Sequence, residues 1–365
     1  MLITALVMSA VMSTEGNSAD PKFSVERFVH QSTDSNGEVS ILYTGEAEWL
    51  VEQKEAAVRF KEIPRLSRLV LMHHNVTKEE LEYVSSVKSI TVLQFGSLPD
   101  EIEITPGALS SLGDMTSLKE LEITDEHLLA EDLAFLEKLE NIQTLTLDSD
   151  LVDQHIKVIY RQQSLRHLSL RGAFTDASVP MILKLPKLES LSLSSQELTS
   201  RSIVAIGQNQ TITNLSVGVG HREHYDPELF LPLTQMHQLE RLEFGGAWLP
   251  ADAIRSISSL DHLRHLDIPI AKDGWPGLDV LKDLKKLDSL DLQGHGAISG
   301  EMLRGAAGQP SLTRILVTSI KDQAAIDILK TLPNLKELIT GNRRDSEIAK
   351  YAREQLHGVE IATPP

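Results

Sequence analysis

The residues best placed to do chemistry lie in one short stretch, Gly218-Val-Gly-His-Arg-Glu-His-Tyr-Asp-Pro227. His221 and His224 stand three apart and are flanked by Glu223 and Asp226, a set of imidazoles and carboxylates that suits a divalent cation. No helical pattern covers this stretch to bring those side chains onto one face. A polar loop presenting His221, Arg222, His224 and Tyr225 is therefore the plainer reading. Gly218 and Gly220 begin a Gly-x-Gly, but Glu223 stands where a dinucleotide-binding loop needs its third glycine. His73 and His74 are adjacent, and neighbours on a strand point to opposite faces, so the two cannot share one ion. The chain has no Gly-x-Ser-x-Gly elbow, no phosphate loop and no His-Glu-x-x-His helix. Paired carboxylates abound in an acidic protein and single out no acid–base couple. The sequence thus predicts no catalytic residue, no cofactor and no metal. A metal-dependent hydrolase, or an enzyme accessory, with its site in the 218–227 loop is the lesser alternative.

Composition narrows the partners. Acids outnumber bases 52 to 35, giving a formal net charge of −17. Phosphate binding draws on clustered Lys and Arg that release counterions, so nucleic acid is not expected. The same charge allows electrostatic steering of a basic protein. With no cysteine, disulfides, thiolate metal sites and a cysteine nucleophile are excluded, and the redox compartment stays open. Aromatics are only 4% while apolar residues reach 41%, so leucine fills the core in place of large rings. That suits a narrow core in which one small slot recurs.

The slot is visible as leucine, two residues, leucine, one residue, leucine. Copies read Leu66-Leu69-Leu71, Val87-Ile90-Val92, Leu118-Leu121-Ile123, Ile142-Leu145-Leu147, Leu165-Leu168-Leu170 and Leu188-Leu191-Leu193. They continue with Ile212-Leu215-Val217, Leu239-Leu242-Phe244, Leu263-Leu266-Ile268, Leu287-Leu290-Leu292 and Leu312-Ile315-Val317. Leu335-Leu338-Thr340 is degraded, and Leu356-Val359-Ile361 reads as a vestigial last copy. Most successive copies start 23 to 25 residues apart. The gap from Val87 to Leu118 is 31 residues and that from Ile212 to Leu239 is 27, so two insertions are expected where the chain leaves a strand.

These copies resemble the leucine-rich-repeat family, in its bacterial and ribonuclease-inhibitor-like subtypes, from about Leu66 to Ile361. Short steps such as Phe174-Thr175-Asp176 and Leu198-Thr199-Ser200 lead into helices as they do there. The resemblance implies an α/β leucine-rich-repeat solenoid (horseshoe) with a parallel concave sheet and convex helices. It also implies a non-enzymatic role in protein binding. One departure stands out: the family's Asn or Cys, three residues after the third apolar position, is replaced by Asp150, Ala173, Gln196, Ala247, Ala271 and His295.

Elementary geometry agrees with that fold. Each second and third leucine sits in a period-two stretch, a short strand. About ten residues later comes an apolar set at helical spacing, as in Leu128-Leu133-Leu136 and Ile203-Ile206, and Thr77 with Glu80 can begin a helix as a capping box. One unit cannot bury both faces, whereas stacked units share a continuous core. Strands stack about 4.8 Å apart and helices about 8–10 Å, so the array bends with its sheet inside; twelve strands would span about 55 Å.

The ends read differently. Met1 to Met12 is an apolar run too short to cross a bilayer, followed by small polar residues with a conceivable cleavage after Ala19. We expect a signal peptide over 1–19 and a secreted, periplasmic or envelope-associated protein, the alternative being a cytoplasmic one. Residues 20–62 read as an N-terminal cap: strands over Phe23–His30 and Glu38–Thr44 around the turn Asp34-Ser-Asn-Gly37, then a helix over Glu46–Arg59 with Trp49, Val51, Ala56 and Phe60 as contacts. The array proper runs over 63–344, and 345–365 holds a charged capping helix, Asp345–Leu356, and a tail.

Partner contacts are expected where residues vary around fixed leucines. The outward position between the second and third apolar slots reads Val70, Thr91, Glu122, Thr146, Ser169, Ser192, Ser216, Glu243, Asp267, Asp291 and Leu316. Hydroxyls give way to acids, and both ends are apolar. Neighbouring positions add Arg241, Arg264, His265 and Asp288. This describes a polar groove with an acidic C-terminal half, fit for a basic protein segment. A merely solvated sheet face, or a structural spacer working through its ends, accounts for the same residues. Trp248 and Trp275 are read as core packing rather than as binding hot spots.

Overall fold

The structure, a computed structural model, describes residues 29–43, 60, 63–72, 76–96, 104–125, 127–219, 227–245, 255–268 and 279–363. The expected signal peptide, the helix over Glu46–Arg59, His73–His74, the His221–Asp226 loop and all of Trp49, Trp248 and Trp275 lie outside the described residues.

The strands are β1 (Val29–Thr33), β2 (Val39–Tyr43), β3 (Leu66–Leu71), β4 (Val92–Phe95), β5 (Glu120–Thr124), β6 (Thr144–Leu151), β7 (His167–Gly172) and β8 (Ser190–Ser195). They continue as β9 (Asn214–Val219), β10 (Arg241–Gly245), β11 (His265–Asp267), β12 (Ser289–Ile298), β13 (Arg314–Ile320), β14 (Glu337–Thr340) and β15 (Glu360–Ala362). All fifteen form one sheet in strict chain order. β1 and β2 pair antiparallel as a hairpin around the turn at 34–37, where the Asp34 carboxylate accepts the Asn36 and Glu38 N–H groups. From β2 onward every pairing is parallel. At about 4.8 Å per strand the sheet extends for roughly 70 Å.

Apolar periodicity explains the stacking. In the copy Leu188-Leu191-Leu193 each leucine is at most 1% exposed, and the same holds for Ile142-Leu145-Leu147. These residues join one continuous core along the array. The return segments behind the strands are short and mixed. Lys78–Ser85, Asp153–Ile159, Ser200–Ile206 and Gln323–Leu329 are α-helical, whereas Ala108–Asp114, Ala130–Lys138, Pro227–Gln235 and Asp279–Asp283 are 3₁₀. Either form seats an i, i+3 apolar pair against the sheet: Leu133 with Leu136 in a 3₁₀ turn, Ile203 with Ile206 in an α turn. The expected α-helix around Leu128–Leu136 is therefore a 3₁₀ segment. Thr77 does cap its helix, accepting from the Glu80 N–H at 3.3 Å.

Buried backbone at the turns is satisfied without the family's asparagine, because the polar residue sits two positions after the third apolar slot instead of three. The Asp125 carboxylate accepts the Ile104 and His127 N–H groups, Ser149 Oγ accepts that of Leu128, and Ser195 Oγ donates to the Phe174 carbonyl. Buried His155 receives the Val152 N–H on Nδ1 and sets Nε2 2.9 Å from the Leu128 carbonyl, tying two repeats together. A carboxylate ladder does the same at the helix starts. Asp153 accepts from Thr175 N–H and Oγ–H and from Ser178; Asp176 accepts from Thr199 N–H and Oγ–H and from Ser202.

Two repeat frames differ from the sequence reading. Leu69 pairs with Leu93 and Val70 with Gln94, so the second copy is Ile90-Leu93-Phe95, not Val87-Ile90-Val92. Apolar residues at 87, 90, 92, 93 and 95 admit both frames, and only pairing with β3 decides. The first long gap is then 28 residues, counted from Ile90. At the far end Ile361 pairs with Leu338, taking the second slot where the vestigial frame had it in the third. Gly358, at φ +80°, turns the chain there, a conformation that favours glycine. The last helix is Glu347–Gln355, and β15 follows it.

Candidate functional site

The described residues fold as a solenoid of strand-and-turn repeats around one long sheet, so strand register decides which side chains meet on the sheet's outward face. One column of paired residues runs Leu42, Val70, Gln94, Glu122, Thr146, Ser169, Ser192 and Ser216. It continues through Glu243, Asp267, Asp291, Leu316, Ile339 and Ala362. The register brings together all eight polar residues from Glu122 to Asp291 that the sequence placed between the apolar slots. Thr91 is the exception: it lies before β4, and Gln94 occupies its place. The polar part, Gln94 to Asp291, covers nine strands, eight steps of about 4.8 Å or roughly 38 Å.

Beside this column lies a second, two residues earlier on each strand: Arg68, Val92, Glu120, Thr144, His167, Ser190, Asn214, Arg241, His265, Ser289, Arg314 and Glu337. Arg241 and His265 therefore join the acidic stretch. Arg264 and Asp288 do not: each stands one residue before its strand, and their backbones continue the ladder, Asp288 N–H to Arg264 O at 2.9 Å. His221, Arg222, His224 and Tyr225 lie outside the described residues.

The two columns are cross-linked at their ends and open in the middle. At the N-terminal end Arg68 donates to Gln94 Oε1 at 3.2 Å, Gln94 Nε2 donates to Glu122 Oε2 at 2.6 Å, and Arg68 stands 3.6 Å from Glu120. In the C-terminal half Arg241 Nε donates to Glu243 Oε1 at 2.6 Å, and His265 Nε2 lies 3.6 Å from the same oxygen. Arg314 pairs with Glu337 at 2.7 Å. Between these groups lie the half-buried hydroxyls of Thr146, Ser169, Ser192 and Ser216, with Arg171 bound to Asp148 on one side at 3.4 Å. Sequence reading missed Gln94, Asp148, Arg171 and Arg314. The first depended on the repeat frame; Arg314 stands two residues before, and Asp148 and Arg171 two residues after, the position between the apolar slots.

Burial and crowding set the protonation of two residues. Burial, then the neighbouring Asp291 and Glu243 carboxylates, push the Asp267 carboxyl up to about 7. Burial and the nearby Arg241 guanidinium hold His265 down to about 4, so its imidazole is neutral at pH 7. Among the described residues no group of three His, Asp or Glu side chains is placed to hold a metal ion. No helix among them is long and apolar enough to cross a membrane.

No family model and no curated protein matches the sequence. Solved structures similar to it include an internalin from Listeria monocytogenes, 18% identical with a TM-score of 0.49, over 78% of this chain and 83% of that one. A leucine-rich-repeat protein of Leptospira interrogans is 17% identical, TM-score 0.42, over 82% and 85% of the two chains. TLR13 in complex with ssRNA13 is 15% identical, TM-score 0.43, and the match spans 85% of this chain and 48% of that one.

Proposed function

We propose that the chain is a non-enzymatic recognition module that holds a protein partner on the outward face of its sheet. The observation carrying this reading is the column itself. Its apolar flanks keep one pattern through the array, while the outward position changes from hydroxyls (Thr146 to Ser216) to acids (Glu243 to Asp291) over consecutive strands. A solvated face needs only polarity, and any mixture of charges supplies it. A run of one chemistry followed by a run of another gives a surface with direction, which selects register and orientation in a bound segment.

The acidic stretch favours Lys or Arg side chains on the partner. The net charge of −17 supports protein over nucleic acid as the ligand, because it repels phosphate and steers cations. The polar segment His221–Asp226 follows β9 in sequence and is proposed as a secondary contact. The apolar run at Met1–Met12 supports export, and N-terminal sequencing of the native protein, showing a start near Asp20, tests that part.

Replacing Asp267 and Asp291 together by Lys tests the groove. Partner capture should fall at least tenfold, since two acidic positions become cationic and repel the partner at the contact. Capture unchanged from wild type would remove the acidic stretch from the binding surface.

A further inference from the structure

The outward carboxylates of Glu243, Asp267 and Asp291 stand on three adjacent strands in direct register, about 4.8 Å apart. Their surroundings are unequal. Glu243 has Arg241 at 2.6 Å and His265 at 3.6 Å, and it is 27% exposed. Asp267, half-buried between the other two, receives no hydrogen bond or salt bridge among the described residues. The groups facing it are Arg241 and Glu243 from β10, Asp291 from β12 and His265 from its own strand; Arg314 on β13 acts on His265 from one strand further. Among the described residues Arg241 is the cation that acts on it, and its guanidinium is engaged by Glu243. A carboxyl that is desolvated, lies between two carboxylates and lacks a donor favours its neutral form.

We propose that Asp267 is a proton switch on the binding face: crowding holds it neutral, and its ionisation adds the charge that lets this stretch grip a cationic segment. The gripping role rests on the partner chemistry proposed above, whereas the switch rests on the register alone. The raised titration of Asp267, to about 7, puts the change inside the range proteins meet, and His265, neutral there, does not oppose it. The switch has two states. With Asp267 protonated, Glu243 is paired with Arg241 and Asp267 adds no charge to the row. With Asp267 ionised, two adjacent carboxylates, Asp267 and Asp291, face outward together. A Lys or Arg reaching that pair would also displace the proton at lower pH, so binding and deprotonation are linked.

Two measurements on the full chain test this. The first follows aspartate side-chain carboxyl carbons by NMR through a pH titration, with Asp267→Asn assigning the signal. We expect a midpoint near 7 that moves down in Asp291→Asn but stays above the ordinary carboxylate range, because burial remains the larger cause. A wild-type midpoint at or below 5 overturns the switch. The second measures oligolysine binding by calorimetry at pH 6 and pH 8 at fixed ionic strength. Wild type should bind about two- to fivefold more tightly at pH 8, and Asp267→Asn should lose that difference. A pH response that survives in Asp267→Asn overturns the assignment to this residue. Absence of oligolysine binding at both pH values, with the midpoint near 7, overturns the gripping role and the cationic-partner reading together. The titration then supports the proton switch by itself.

Discussion

Asp267 and His265 lie two positions apart on β11, and burial moves them in opposite directions from their ordinary values. The consequence for stability follows from linkage. Asp267 binds its proton more tightly folded than unfolded, so its contribution is greatest below pH 3.8 and is lost as pH rises towards about 7. His265 binds its proton less tightly when folded. Its contribution is present above pH 6.5 and is lost as pH falls towards about 4. Between about 4 and 6.5 the two slopes oppose each other, and wild type should show little net dependence from this pair. Urea midpoints across that window should rise with pH in Asp267→Asn and fall with pH in His265→Gln, each taken as a difference from wild type. Parallel curves for all three proteins would contradict the assignment. Asp176 gives a simpler case. Burial alone would raise its titration, but hydrogen bonds from Ser202 and Thr199 outweigh it and hold the carboxyl below 3.8. Asp176→Ala removes those acceptors from the neighbouring repeat and should cost about 1–3 kcal/mol in urea unfolding at pH 7. Acid should narrow the difference, since the wild-type bonds weaken as the carboxylate protonates. Residue types at both places were legible in the sequence. Their protonation was not, because it depends on which carboxylates the register makes neighbours.

At the scale of the element, what holds a repeat to the next is the close approach of short strands and turns. Gly172 ends β7 directly against β6: a Cβ there would meet the Leu151 backbone N and O at 2.5 Å. Gly172→Ala should therefore force the strand ends apart and cost about 1–3 kcal/mol, read as a lowered unfolding midpoint. At the buried slots the loss is of another kind. Leu242 is 0% exposed, and Leu242→Ala should cost about 2–5 kcal/mol by lost burial and a residual cavity. A cost below 1 kcal/mol at Leu242 would mean the slot collapses freely, against the close packing described. Strands and their buried leucines were readable at this scale because period two and the recurring slot are local signals. The second copy was misframed because five apolar residues between 87 and 95 fit two frames, and pairing with β3, a non-local fact, chooses one. The 3₁₀ segments escaped for a related reason, since an i, i+3 apolar pair such as Leu133 and Leu136 serves either kind of turn.

Taken whole, the described residues form a sheet of fifteen strands in chain order whose inner side is almost entirely Leu, Ile, Val and Phe and whose outer side is mixed. The solenoid was legible from repetition alone, as a dozen copies at one period leave little freedom of topology. The candidate surface was half legible. Following one position per repeat found the hydroxyl run and the acidic run. It missed Arg68 and Arg314 in the second column and Arg171 two residues beyond the first, which together with Arg241 set the local charge. The central claim is that this outward face, through Asp267 and Asp291, holds a partner bearing cationic side chains. Its most direct test is a quantitative comparison of partner binding by wild type, by the double variant Asp267→Lys/Asp291→Lys, and by Glu140→Lys/Glu354→Lys. The last makes the same change in net charge at two exposed residues outside the column. We predict that the first double variant loses partners at least tenfold while the second keeps them within about twofold. Equal retention by both variants, or equal loss, would contradict the claim, because binding would then follow no charge on this face, or net charge alone.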